Sequence, residues 1–227
     1  MKTQTAIQSR SESTPRRQLP ARENPLAVSL TTNIAFRFAS HDWEFHFQRL
    51  SELGFRASIV GRRGSGKSTL LAELHHELER RGVDSHFVFL PQDRGLHAAM
   101  LNAAFERSRA GAVLLVDGIE RLGLFQRRKL LNRARKSAGL VITKHHRCKL
   151  PTWIQTQTSP ELMTDVLVDL NLDHPQVILA GQVAFEKHDG NIRNALRELY
   201  DQFAAGAFRV ALVRLSLIHI SEPTRPY

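Results

Sequence analysis

The stretch Arg56–Thr69, RASIVGRRGSGKST, decides the architecture. Arg56–Val60 is a short apolar, β-branched run, the signature of a buried strand. Gly61-Arg62-Arg63-Gly64-Ser65-Gly66-Lys67-Ser68 then matches G-x-x-x-x-G-K-[ST] in full. From Lys67 to Arg81 the leucines Leu70, Leu71, Leu74 and Leu78 recur along one face of a helix, and Gly82 is a stop signal. Strand, glycine loop and helix in that order form the context this motif requires. The glycines let backbone N–H groups turn inward toward phosphate oxygens, and the helix adds its N-terminal partial charge. Gly61, Arg62, Arg63, Gly64, Ser65, Gly66, Lys67, Ser68 and Thr69 are therefore the candidate nucleotide-binding set, with ATP and Mg²⁺ the implied ligands. Lys67 supplies a mobile ammonium for the outer phosphates, and Ser68 a hydroxyl for the metal. Arg62 and Arg63 fill the variable positions and are expected to face solvent.

Outward from this unit the chain alternates strand and helix. Ser85–Leu90 reads as a second strand, His97–Arg109 as a helix, Ala112–Asp117 as a third strand and Leu124–Ser137 as a basic helix. Leu140–Thr143 and Thr152–Thr156 read as the fourth and fifth strands. This pattern predicts an α/β fold, a parallel sheet flanked by helices. From Ser159 the periodicity becomes wholly helical, with helices expected over about 159–170, 175–188 and 191–204. Upstream, Asp42–Leu53 fits a helix, and Phe36, Phe38, Trp43, Phe45 and Phe47 around it read as core rather than as a base-stacking surface. The expected organisation is an arm over 1–24, an α/β core over 25–158, a helical lid over 159–205 and a truncated end over 206–227.

The second chemical signal is VLLVDGIERL, Val113–Leu122. A buried strand that ends in Asp117 places a carboxylate at the sheet edge, where with Ser68 it can hold Mg²⁺. Glu120 lies three residues on and is the candidate for polarising an attacking water. Thr143-Lys144-His145-His146-Arg147-Cys148-Lys149 follows the fourth strand, at the edge where ligands bind in open α/β sheets, so a γ-phosphate or metal contact by His145 and His146 is an alternative; no Cys/His spacing supports a zinc site, and the run reads as a solvated basic loop.

Together with Gly190-Asn191-Ile192-Arg193, these motifs make residues 24–205 resemble an AAA+ or STAND-type P-loop ATPase. The resemblance implies a P-loop NTPase sheet followed by a small all-helical lid. It implies that Arg193, at the start of the lid's last helix, reaches the γ-phosphate, and that Thr143 stands at the position that orients water or phosphate. Lys67, Glu120, Thr143 and Arg193 are on that basis the candidate catalytic residues. In the wider AAA+ group an acid usually follows the metal-binding Asp directly. Here that position is Gly118, and the D-G-x-[DE] form is similar to the NACHT-like signalling ATPases. The leading expectation is a Mg²⁺-dependent ATP-hydrolysing switch protein. A nucleotide-gated interaction module with little turnover and a small-molecule kinase are the alternatives.

Composition narrows the partners. The 227 residues hold 32 Lys and Arg against 22 Asp and Glu, a net charge of +10 and a pI near 10.6. Such a balance attracts polyanions. Arg121, Arg127, Arg128, Lys129, Arg133, Arg135 and Lys136 crowd one segment that carries no acid from Leu122 to His146. The helix 124–137 is therefore the candidate contact for DNA or a protein partner, with Leu124, Leu131 and Ala134 expected toward the core and an oligomer open. A single cysteine, Cys148, excludes an intrachain disulfide. No apolar run is long enough to span a bilayer and the N-terminus lacks a signal-peptide core, so a cytoplasmic protein without a membrane partner is expected. Residues 1–24 are polar and arginine-bearing, and read as a disordered basic arm. Leu215–Arg225, LSLIHISEPTR, is similar to the in-frame translation of a transposase-type sequencing-library adapter, so the native chain is expected to differ after about Arg214.

Overall fold

Five short apolar runs lie side by side and point the same way. They are β1 (Arg56–Gly61), β2 (Ser85–Phe89), β3 (Val113–Asp117), β4 (Gly139–Lys144) and β5 (Thr152–Thr156). The computed structural model describes residues 24–26, 34–38, 40–107 and 111–208. The expected arm, apart from Asn24, and the adapter-like segment lie outside the described residues. The strands form one sheet in the order β2-β3-β4-β1-β5, and every neighbouring pair is parallel. This is the α/β arrangement that the alternating pattern predicts.

Helices cover both faces, which is why the inner strands β1, β3 and β4 are buried along almost their whole length. Successive strand residues point to opposite sides. Val113 and Leu115 of β3, with Val141 of β4, enter one core beside Leu50 and the leucines of the helix after β1. Leu114 and Val116, with Leu140 and Ile142, enter the other beside Leu101 and Leu130. The first face is covered by α1 (Trp43–Glu52) and α2 (Lys67–Arg80), the second by α3 (His97–Arg107) and α4 (Leu124–Arg133). Leu70, Leu71, Leu74 and Leu78 of α2 are all buried, as their spacing requires. Asp42 caps α1 by accepting from Phe45 N at 3.0 Å, and Trp153 of β5 anchors the helix by donating Nε1–H to His46 O at 2.8 Å. Phe36, Phe38, Trp43 and Phe47 pack against this core, whereas Phe45 faces outward and stacks on His41.

Two details of α4 differ from the expectation. The α-helix ends at Arg133 and a single 3-10 turn, Ala134–Lys136, follows. Its inward line is Leu130 and Ala134, while Leu124 and Leu131 face solvent. Leu130 and Ala134 are four residues apart and share a face, and Leu124 sits in the first turn outside that face.

Beyond the sheet, α5 (Pro160–Asp169), α6 (Pro175–Lys187) and α7 (Ile192–Ala204) build a separate core from Met163, Leu167, Val177, Phe185, Leu199 and Phe203. Proline opens α5 and α6, where a missing N–H costs nothing. Ser159 and Asn191 cap α5 and α7 by accepting backbone N–H bonds at 3.2 Å. Leu26 is buried in this core, and Asn24 donates to Tyr200 O at 2.9 Å. No helix among the described residues is long and apolar enough to cross a membrane.

Trp153→Ala should destabilise the protein by about 3–5 kcal/mol, because it opens a large cavity between α1 and β5 and removes the side-chain bond to His46 O. Urea unfolding followed by circular dichroism checks this.

Candidate functional site

The order of the sheet reverses at β1. Its chain runs to β2 at the far edge, and each later connection returns toward β5. Such a reversal leaves a crevice at the carboxyl ends of the strands. Gly61 ends β1, Asp117 ends β3, Thr143 lies one residue before the end of β4 and Thr156 ends β5, so one edge collects all four.

Gly64 and Gly66 have φ of +74° and +82°, the left-handed region that glycine enters without strain. They turn the chain so that it enters α2 with no side-chain cap and no acid in the first turn. The first N–H groups of α2 are thereby left for an anion. Ser65 stiffens the loop by donating to Arg62 O at 2.8 Å, and its hydroxyl lies 2.6 Å from that of Thr156. Arg62 and Arg63 are exposed, as variable loop positions should be, and Thr69 follows in the first turn of α2.

Lys67 is buried with its ammonium folded back on the loop, donating to Gly61 O at 2.8 Å and Arg62 O at 2.5 Å. Burial pushes its pKa down, the Glu120 and Asp117 carboxylates pull it up, and the Arg193 and Arg63 guanidiniums push it down again. Lys67 thus lies within the fields of Glu120, Asp117 and Arg193 together. Arg193 is exposed in the first turn of α7. Asn191, the cap of that helix, reaches the loop itself. A Cβ at Gly64 would lie 1.9 Å from its Oδ1.

Asp117 is the hinge of the site. It is buried, and both oxygens are engaged: Ser68 Oγ donates to Oδ2 at 2.7 Å and Thr143 Oγ1 to Oδ1 at 2.5 Å. Thr143 also accepts from Gly118 N at 3.0 Å. Its hydroxyl proton is committed to Asp117, so Thr143 here positions the carboxylate. The expected role of orienting water or phosphate would need that proton elsewhere.

Glu120 sits in a single 3-10 turn, Ile119–Arg121, after Gly118 at φ +84°. Its Oε1 meets His145 Nε2 at 3.1 Å, and His145 Nδ1 lies 3.3 Å from Gly61 O. Glu120 Oε2 is out of solvent with no hydrogen-bond partner among the described residues. The expectation that His145 belongs to a solvated loop is corrected, since it is partly buried and bonded into the site; His146 beside it is exposed. Thr156 and Asn191 carry no site role in the sequence reading, and His145 carries one there only as the alternative to a solvated loop. His145 follows β4, Thr156 ends β5 and Asn191 precedes α7, and these positions at element ends are the signal the sequence offers.

Among the described residues no three His, Cys, Asp or Glu side chains gather as a metal cage. Ser68 and Asp117 nonetheless fit Mg²⁺, which takes one or two protein oxygens and completes its shell with phosphate and water. Ser68 gives its proton to Asp117, which leaves its lone pairs for a cation.

The basic segment divides in two. Arg121 donates to Leu90 O, Arg127 to Leu122 O at 3.2 Å and Arg133 to Asn102 Oδ1 at 2.7 Å, so these three are structural. The side chains of Arg128, Lys129, Arg135 and Lys136 are exposed and have no ion pair or hydrogen bond among the described residues. Phe125 and Leu124 lie beside them at 80% and 78% exposure, the most solvent-facing large apolar side chains described.

No family model matches the chain, and no curated protein matches it in sequence.

Thr143→Val keeps the shape of the side chain and leaves Asp117 Oδ1 and Gly118 N–H unpaired. The expected loss is about 1–3 kcal/mol of stability, measured by urea unfolding of the ligand-free protein.

Proposed function

We propose that the protein binds ATP with Mg²⁺ at the crevice around Gly61–Thr69 and hydrolyses it, as an AAA+-like switch with a P-loop NTPase core and a helical lid. The observation that carries this is the 2.7 Å bond between Ser68 Oγ and Asp117 Oδ2, which joins two motifs 49 residues apart at one sheet edge. A phosphate loop and a strand-end aspartate have to meet in this way if both are to serve one Mg²⁺.

In this reading the loop amides and the start of α2 bind the phosphates. Lys67 leaves Gly61 O and Arg62 O for the outer phosphate oxygens, which are stronger acceptors for an ammonium. Ser68 and Asp117 would hold Mg²⁺, which would supply positive charge against the phosphates. Glu120 takes the proton of the attacking water at Oε2, the buried oxygen without a partner. Arg193 and Asn191 connect the phosphate loop to α7, so a change at the loop is felt by the helical segment. Arg128, Lys129, Arg135 and Lys136 form the surface that would meet DNA phosphate.

A second reading is a nucleotide-gated interaction module with little turnover. It is favoured by Gly118, where an acid would otherwise stand, and by the His145 contact, which occupies Glu120 Oε1.

Steady-state ATP hydrolysis of the full chain separates the two. Lys67→Ala should abolish Mg·ATP binding. Glu120→Gln should retain binding and lose about 10²-fold or more in turnover, the usual contribution of a general base. Alanine at Arg128, Lys129, Arg135 and Lys136 should remove any stimulation by duplex DNA and leave basal turnover unchanged. Binding without turnover in the wild type would establish the second reading.

The depressed pKa of Lys67 gives a pH test with a definite sign. Phosphate restores the ammonium, so the bound state holds the proton more tightly than the free state. Affinity should then fall as pH rises through the depressed value toward the ordinary lysine range, with proton uptake on binding. Calorimetry in two buffers of different ionisation enthalpy measures that uptake.

A further inference from the structure

His145 touches two functional parts at once. Its Nδ1 lies 3.3 Å from the carbonyl oxygen of Gly61, the first residue of the phosphate loop, and its Nε2 lies 3.1 Å from Glu120 Oε1. The Glu120 side chain is anchored to nothing else among the described residues, and its Oε2 is buried without a partner. Glu120 stands on one 3-10 turn behind a left-handed glycine, a short support that leaves the carboxylate free to rotate. Gly61 O also accepts from Lys67 Nζ at 2.8 Å, so the imidazole shares its loop anchor with the residue that would meet the outer phosphates.

We propose that His145 is a positioning residue for the hydrolytic reaction, an imidazole strut that holds Glu120 at a set distance from the phosphate loop and directs Oε2 toward the attacking water. This rests on the reading of Glu120 as the base. Both partners of the ring are acceptors, so the ring holds both at once only when each nitrogen carries a proton, and a neutral ring holds one of them. One carboxylate oxygen is tied, and the other is left for the water. The strut removes the rotational freedom of Glu120. A general base is effective only within hydrogen-bond reach of its proton, and a misplacement of about 1 Å can cost about 10²-fold in rate. His145 need touch neither nucleotide nor water to act in this way.

The test uses the full chain, three substitutions of His145, and Glu120→Gln and His146→Ala beside them. His145→Ala should lower kcat about tenfold or more while KM for Mg·ATP stays within about twofold, since the loop, Lys67, Ser68 and Asp117 are unchanged. His145→Gln, whose amide can stand in for the Nε2 arm, should restore part of kcat. His145→Asn, which can replace only the Nδ1 arm, should not. A merely structural role would instead lower the melting temperature of all three alike and move KM with kcat. A second readout needs no turnover: in long-range ¹H–¹⁵N spectra of the ligand-free protein, the His145 ring signals should move in Glu120→Gln and stay in His146→Ala. Ring signals indifferent to Glu120→Gln would overturn the strut, as would a kcat unchanged in His145→Ala while Glu120→Gln loses turnover. The last pattern leaves Glu120 as base intact. Full turnover in Glu120→Gln with shifted ring signals removes the base reading and, with it, the catalytic role of a contact that exists.

Discussion

Asp117 ends a strand buried on both faces, and its two oxygens take the hydroxyl protons of Ser68 and Thr143. A carboxylate so deep in a protein is costly to bury unless its lone pairs are satisfied. These bonds satisfy them with the loop after β1 on one side and the end of β4 on the other. Three chain segments distant in sequence are thereby drawn to one point, and the left-handed Gly118 N–H closes the ring by bonding Thr143. The glycine loop after β1, the turn that carries Glu120 and the segment that carries His145 all radiate from this point. Their mutual distances follow from it.

Electrostatics sort the many cations into two kinds. Arg121, Arg127 and Arg133 on the basic segment, and Arg56 on β1, are used within the fold. Arg56 alone donates to the carbonyls of Ala134, Arg135 and Ser137, at 3.1, 3.3 and 2.7 Å, and so ends the α4 segment against β1. Arg81 does similar work on the opposite face, joining Glu77 of α2 to Glu44 of α1 while its guanidinium lies over the Phe47 ring. The neighbouring Arg80 and Arg81 hold the Glu77 carboxyl at about 2, well below the usual range. Arginine suits these places because its flat fork presents several donors at fixed angles to carbonyls and carboxylates. On the basic segment the cations left over are Arg128 and Lys129 of α4 and Arg135 and Lys136 of the turn after it, all exposed.

The helical segment reaches the site by a different route. Its core is its own, but its last helix begins against the loop, where Asn191 both caps α7 and fills the space above Gly64. Residues 34–38 bind the two parts from the other side. Phe36 lies against Gly66, its N–H donates to Glu73 of α2, and Arg37 pairs with Asp165 and Asp169 of α5. Burial pushes the pKa of Glu73 up, against the lowering effect of the Phe36 N–H. Movement of α7 is therefore resisted at the loop and at α5 alike.

Local chemistry made much of this legible beforehand. An unbroken apolar run such as AVLLVD can only be a strand covered on both faces, and glycines around Lys67 can only serve a turn with left-handed residues. Five strands, the inward leucines of α2 and the caps Asp42 and Ser159 follow from such short-range rules, because each depends on residues within a few positions. The direction of α4 did not follow. Leu124, Leu130 and Leu131 are equally apolar, and only the depth of the helix against β3 and β4 selects Leu130. Nor did the use of His145, which reads as one more basic loop residue until the reversal of strand order at β1 brings the end of β4 beside Gly61. Periodicity is a property of neighbours in sequence. The partners of Asp117 and Glu120 depend on which strands pair, and that is set only when the whole sheet assembles.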